Sequence, residues 1–120
     1  MLDAKLQLKP GQTIAYMGKV MVFNIAAKPA EILNADAVLA FTPNEAALRR
    51  ELSTLQYVAS LGKLVRVAYP KAGQLGADIN RDSIRAIAND KGLDPVRQIS
   101  MDAIWSALRL KALPGGPPAG

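Results

Sequence analysis

The chain has 120 residues, of which half are apolar and 21% are charged. That is the composition of one globular domain, burying roughly two-thirds of the surface its extended chain would expose. It contains no cysteine and no histidine, which excludes disulfides, thiolate or imidazole metal sites, iron–sulfur clusters, cysteine nucleophiles and serine–histidine triads.

The net charge is +5, which favours weak attraction to polyanions. The basic residues are scattered among the acids, however, and Arg49–Arg50 is their one doublet. Aromatic content of 5% offers no stacking platform for single strands, so nucleic acid is not the expected partner. Met1–Lys9 alternates charge with single apolar residues and does not read as a signal peptide. The longest mostly apolar stretch, Val20–Ala27, is too short to span a bilayer. The expectation is a cytoplasmic protein without membrane contact.

Taken in chain order, Pro10-Gly11-Gln12 is a turn and Thr13–Met17 a first strand. Gly18-Lys19 breaks the pattern, and Val20–Ala26 is a second β-favouring run. The gap is too short for a crossover helix, so the two runs are expected to form a hairpin or one bent strand kinked at Gly18. Lys28-Pro29 opens a short helical turn through Leu33, which Asn34 ends in the left-handed conformation. Ala37–Phe41 is apolar throughout, as in a strand buried on both faces of a helix-covered parallel sheet. Thr42-Pro43-Asn44-Glu45 reads as a capping box with proline at the first helical position. Leu48, Leu52, Leu55 and Ala59 follow at helical spacing, and Gly62 ends the helix.

Lys63–Tyr69 is the next strand, stopped by Pro70, and Lys71–Ala77 is a loop. Asn80 caps a second helix, with Ile79 and Ile84 as a hydrophobic staple and Ile84, Ile87 and Ala88 as its buried stripe. Gly92 ends it and Pro95–Ser100 is a strand. Ser100–Asp102 turns, and Ile104–Leu110 alternates, with Ile104, Ser106, Leu108 and Leu110 on one face and Trp105, Ala107 and Arg109 on the other. That pattern predicts an antiparallel strand with one wetter side. The whole predicts a single α/β domain over residues 1–113, with a mostly parallel sheet of five or six strands and an antiparallel strand at its C-terminal end. Residues 114–120, rich in Pro and Gly, read as a disordered tail.

Ligands of such sheets bind at the carboxyl ends of strands, here Met17-Gly18, Phe41-Thr42 and Tyr69-Pro70-Lys71. Gly18 stands alone with no helix after it, so the phosphate-binding element of a dinucleotide fold is missing and no cofactor is expected. Lys71 at a strand mouth can contact an anion, or simply be solvated on its loop. Asp78 and Asp82 flank the Asn80 cap, where the helix dipole already accounts for them. Asp102 suits a turn, or a charge partner for Lys71 or Arg109. Trp105 can stack on a ligand or on Arg109, or belong to a core or dimer contact. Ser106 has no histidine base and would need Lys71 within reach to act as a nucleophile.

Four motifs in order carry a resemblance. Lys9-Pro10-Gly11-Gln12, Tyr69-Pro70-Lys71, Ala77-Asp78-Ile79 and Asp102–Ser106 together resemble the pattern of a family of small bacterial proteins catalogued as a domain of unknown function. That pattern is an opening Lys-Pro-Gly-Gln turn, an aromatic-Pro-Lys loop, a Thr-Asp-Leu helix start and a final Asp-x-x-Trp-Ser strand. The resemblance covers Leu8 to about Leu110, with Tyr69 in place of the usual tryptophan. It implies a Rossmann-like domain similar to the C-terminal half of small methyltransferases without their cofactor loop. It brings no activity, and its candidate positions are Lys71, Asp78, Asp102, Trp105, Ser106 and Arg109. The chain departs from the pattern after its first strand, where the usual crossover helix is shortened or lost.

The reading at this stage is a non-catalytic binding or self-association module, partnered by a second copy or another protein. The alternative is a site for a small anionic ligand near Lys71, with no metal.

Overall fold

The computed structural model describes residues 2–18, 23–71 and 74–113, and at position 75 the backbone alone. The expected tail at 114–120 lies outside the described residues, as do 19–22 at the start of the expected second strand. The strands are β1 (Thr13–Met17), β2 (Lys28–Pro29), β3 (Ala37–Phe41), β4 (Leu64–Pro70), β5 (Leu93–Ser100) and β6 (Trp105–Ala112). The helices are α1 (Glu45–Ser60) and α2 (Arg81–Asn89). Together they make a small α/β domain around one six-stranded mixed sheet in the order β2-β1-β3-β4-β6-β5.

β1 pairs in parallel with both β2 and β3, and β3 pairs in parallel with β4. With both edges of β1 taken by parallel partners, the expected hairpin with Val20–Ala26 has no place to form. Residues 23–26 of that run are not strand. Lys28-Pro29 is a strand bridge rather than a helical start, and the helical turn is a 3₁₀ segment at Ile32–Asn34. Asn34 does not adopt a left-handed conformation, since the one described non-glycine residue with positive φ is Gln7.

The C-terminal strands depart from the expected order. β6 runs antiparallel between β4 and β5, pairing Tyr69 with Ser106 on one side and Ser100 with Ser106 on the other. β5 therefore shares the direction of β4 without touching it, and the long outer edge belongs to β5. The four-residue link from Ser100 to Trp105 is too short for a crossover, so those two strands must form a hairpin. Being internal, β6 has no wet side: Trp105 through Leu108 and Leu110 are all buried.

Both helices lie on one face. Leu48, Leu52, Leu55 and Val58 of α1 and Ile84, Ile87 and Ala88 of α2 share a core with Val38, Val65, Val67 and Leu108 of the sheet. Among the described residues, the opposite face has no helix. Leu2, Leu6 and Leu8 of the N-terminal segment close it over Ile14, Leu39, Phe41 and Trp105, with Phe23 and Ile25 alongside. The apolar run Ala37–Phe41 is thus buried on both faces as expected, but half of its cover is irregular chain. Helix-free cover needs other partners for its backbone, and the Asp3 carboxylate provides two by accepting the N–H groups of Ala26 and Ala27.

The caps set where the helices begin. Asn44, not Thr42, is the N-cap of α1, and its side chain accepts the Ala47 N–H at 2.8 Å. Thr42 is fully buried, and its hydroxyl donates to the Ala68 carbonyl of β4 at 3.0 Å. In α2 Asn80 and Ser83 exchange the two bonds of a capping box, with Ile79 and Ile84 buried across it. Gly62 follows α1 with φ of +83°.

Candidate functional site

At the carboxyl end of β4 the helix-side face of the sheet is left uncovered, because α2 begins there. The result is a cleft of about 570 Å³ lined by Tyr69, Lys71, Asn80, Arg81, Asp82, Gln98, Ile99, Ser100 and Ser106. Its floor is the register Tyr69–Ser106–Ser100 across β4, β6 and β5. Its wall is the first turn of α2. Its rim is Lys71, whose ammonium donates to Ser100 Oγ at 2.8 Å and to the Asp102 carbonyl at 2.6 Å. These acceptors are neutral, so they hold Lys71 in place without cancelling its charge.

Tyr69 is buried. Burial pushes its phenol pKa above the ordinary value of 10, while the Arg81 charge and the Ser106 hydroxyl pull in the other direction. The cleft thus holds a neutral phenol, two hydroxyls, two amides, and the cations Lys71 and Arg81 against the single carboxylate of Asp82. Such a set can orient an anion. Imidazole and thiolate chemistries are absent from the sequence.

Of the six expected site residues, two meet in this cleft, Lys71 and Ser106. Asp102 stands beside it and contributes only its backbone carbonyl. Its carboxylate accepts the N–H groups of Ile104 and Trp105 at 2.8 and 2.7 Å, which makes it the turn residue of the β5–β6 hairpin. Trp105 points to the other side of the sheet, edge-on to Phe41 with ring centroids 5.9 Å apart. Arg109 is also on that side, opposite Arg66. Asp78 is spent on α1, where it accepts the Glu45 N–H. The period of two in β6 carries this split: Ser106 faces the cleft, so Trp105 cannot.

Tyr69, Arg81, Gln98 and Ser100 are among the cleft residues outside that set of six. Ser100 is recognisable only once the short turn at 101–104 is read as a hairpin that brings it opposite Ser106. Arg81 is the residue that follows the Asn80 cap, and its place in the cleft is set by where α2 packs on the sheet.

Among the described residues, no three Asp or Glu side chains come together to hold a metal ion. No helix among them is long and apolar enough to cross a membrane.

Fold and cleft define a small mixed α/β domain with a cation-rimmed opening at the end of a parallel strand. No family model matches the chain, and no curated protein matches it.

Proposed function

We propose that this protein is a non-catalytic binding module of Rossmann-like, methyltransferase-half-like type, and that it takes a small anionic ligand in the cleft beside Lys71. The observation that carries the reading is Lys71 itself, held over the cleft by two neutral acceptors with Arg81 on the facing wall. The position agrees with the rule that ligands of open α/β sheets sit beyond the carboxyl ends of the strands. The Rossmann-like assignment is supported by the parallel run β1-β3-β4 and by the α1 crossover between β3 and β4. A cytoplasmic setting and a place in the bacterial family of unknown function accord with this reading. The family placement rests on the sequence motifs, and the cytoplasmic setting on the reading of Met1–Lys9 and Val20–Ala27.

The test is thermal shift against a panel of phosphates, nucleotides and small carboxylates at constant ionic strength. At least one anion raises the wild-type melting temperature, and the shift disappears in Lys71→Ala and in Arg81→Ala. Equal shifts in wild type and Lys71→Ala for every anion of the panel would overturn the assignment.

Self-association is the second reading. It rests on β5, an eight-residue outer strand that carries the exposed Val96. Pro95 and the bulge between Pro95 and Arg97 work against edge pairing. Light scattering over a hundredfold concentration range decides: a constant monomer mass removes this reading.

A further inference from the structure

The face of the sheet opposite the cleft carries a row of three arginines. Arg66 of β4 is in register with Arg109 of β6, and Arg109 is in register with Arg97 of β5. Neighbouring strands lie about 4.8 Å apart, so the row spans roughly 10 Å. Like charges directly opposite one another on a ladder are destabilising, and ladders normally interpose an acid. Here none is interposed. The ion pairs among the described residues are Arg49–Glu45, Arg50–Glu51 and Arg85–Asp94, none of them in the row.

The three side chains grade from wet to dry. Arg97 is exposed, Arg109 is half-buried and Arg66 is buried. Arg66 donates to the Leu6 carbonyl at 2.6 Å and to Gln7 Oε1 at 2.7 Å. To bring both acceptors there, the N-terminal segment holds Gln7 in a left-handed conformation with φ of 59°, one that L-residues rarely adopt. The acceptors fix Arg66 but leave its charge intact. Its pKa is lowered to about 10 by burial first and then by the charges of Arg109 and Arg97. Arg109 Nε is shut away from water with no acceptor at all, an expensive state for a buried donor.

From this row we infer a second anion site, one that takes a dianionic phosphoryl group between Arg97 and Arg109. One carboxylate brings a single charge and two oxygens, enough for one guanidinium fork. A phosphoryl group brings nearly two charges and three terminal oxygens, enough to meet two guanidinium groups. Lys111, two residues beyond Arg109 on β6 and exposed, adds a cation nearby, opposite Asp94 of β5. The site lies on the face of the sheet opposite the Lys71 cleft.

The experiment is thermal shift and isothermal titration with inorganic phosphate, against chloride and acetate at matched ionic strength. The proteins are wild type, Arg97→Gln, Arg109→Gln and Lys71→Ala. Phosphate stabilises wild type and Lys71→Ala, chloride and acetate do not, and phosphate affinity falls about tenfold or more in Arg97→Gln. Arg97 is exposed on an edge strand, so its variant folds and reports binding even if Arg109→Gln does not. Undiminished phosphate binding in Arg97→Gln, equal stabilisation by chloride, or binding lost only in Lys71→Ala would overturn the site. So would Arg97-dependent binding of single-stranded nucleic acid without any binding of phosphate.

Discussion

The carboxylate of Asp78 accepts the backbone N–H of Glu45 at 2.9 Å, across 33 positions of sequence. A residue of the loop before α2 thereby satisfies a free donor in the first turn of α1, and its negative charge sits at the positive end of that helix. Asp78→Ala is expected to cost about 1 kcal/mol, with an unchanged ligand profile, and Asp78→Asn should recover most of the loss. Urea denaturation of the three proteins measures it. An unaltered midpoint in Asp78→Ala would remove the cap from the account.

Gly18 and Gly11 both have positive φ, +81° and +87°, but their surroundings differ. A Cβ at Gly18 would lie 2.6 Å from the Phe41 carbonyl oxygen, while one at Gly11 meets nothing within 4 Å. Gly11→Ala therefore carries only the left-handed cost of about 1 kcal/mol. Gly18→Ala adds a backbone clash and is expected to lose about 2 kcal/mol or more. Equal losses would mean that the close approach of β1 and β3 at Gly18 contributes nothing.

Trp105 is 5% exposed and packs edge-on against Phe41. Its fluorescence is expected at short wavelength, resistant to acrylamide, and indifferent to any anion that binds in the Lys71 cleft. Trp105→Ala should cost about 3–5 kcal/mol as a cavity in the helix-free half of the core. Direct quenching of Trp105 by a bound ligand would contradict its burial.

The carboxyl pKa of Asp3 lies below the ordinary value of 3.8, chiefly because it accepts the Ala26 N–H and also the Ala27 N–H, with burial opposing. The unfolded chain therefore takes up this proton first as pH falls. The stabilisation is present above about pH 4 and is lost as pH drops through the lowered folded value. Asp3→Ala is expected to cost about 1 kcal/mol at pH 7, with the difference from wild type shrinking at pH 3. Paired denaturation curves at the two pH values check both size and sign.

Tyr69 titrates in the opposite sense. Its folded pKa is raised, mainly by burial, so its contribution to stability is complete below the unfolded value near 10 and is lost as pH rises through the folded one. The absorbance of its phenolate, isolated as the difference between wild type and Tyr69→Phe, should emerge above pH 10. Emergence below that value would show Arg81 outweighing desolvation.

Much of the architecture was legible along the chain. The spacing of Leu48, Leu52 and Leu55 defines the buried stripe of α1, and Ile79, Asn80 and Ile84 define the start of α2, because caps and stripes involve residues within one or two turns of each other. The uninterrupted apolarity of Ala37–Phe41 marks a strand buried on two sides. Lys71 and Ser106 were likewise recognisable as candidates, since each lies at a strand end or in a period-two pattern.

What stayed hidden depends on pairings between distant segments. Nothing local in Trp105–Ala112 distinguishes an edge strand from one inserted between β4 and β5. That insertion buries Trp105, joins Ser100 to Ser106, and lines up Arg66, Arg109 and Arg97. The cover of the second face by Leu2, Leu6 and Leu8 rather than by a helix is equally non-local. Side-chain chemistry and periodicity set what each segment can form, whereas neighbours across a sheet are chosen by which apolar faces can be closed together, and that choice involves the whole chain at once.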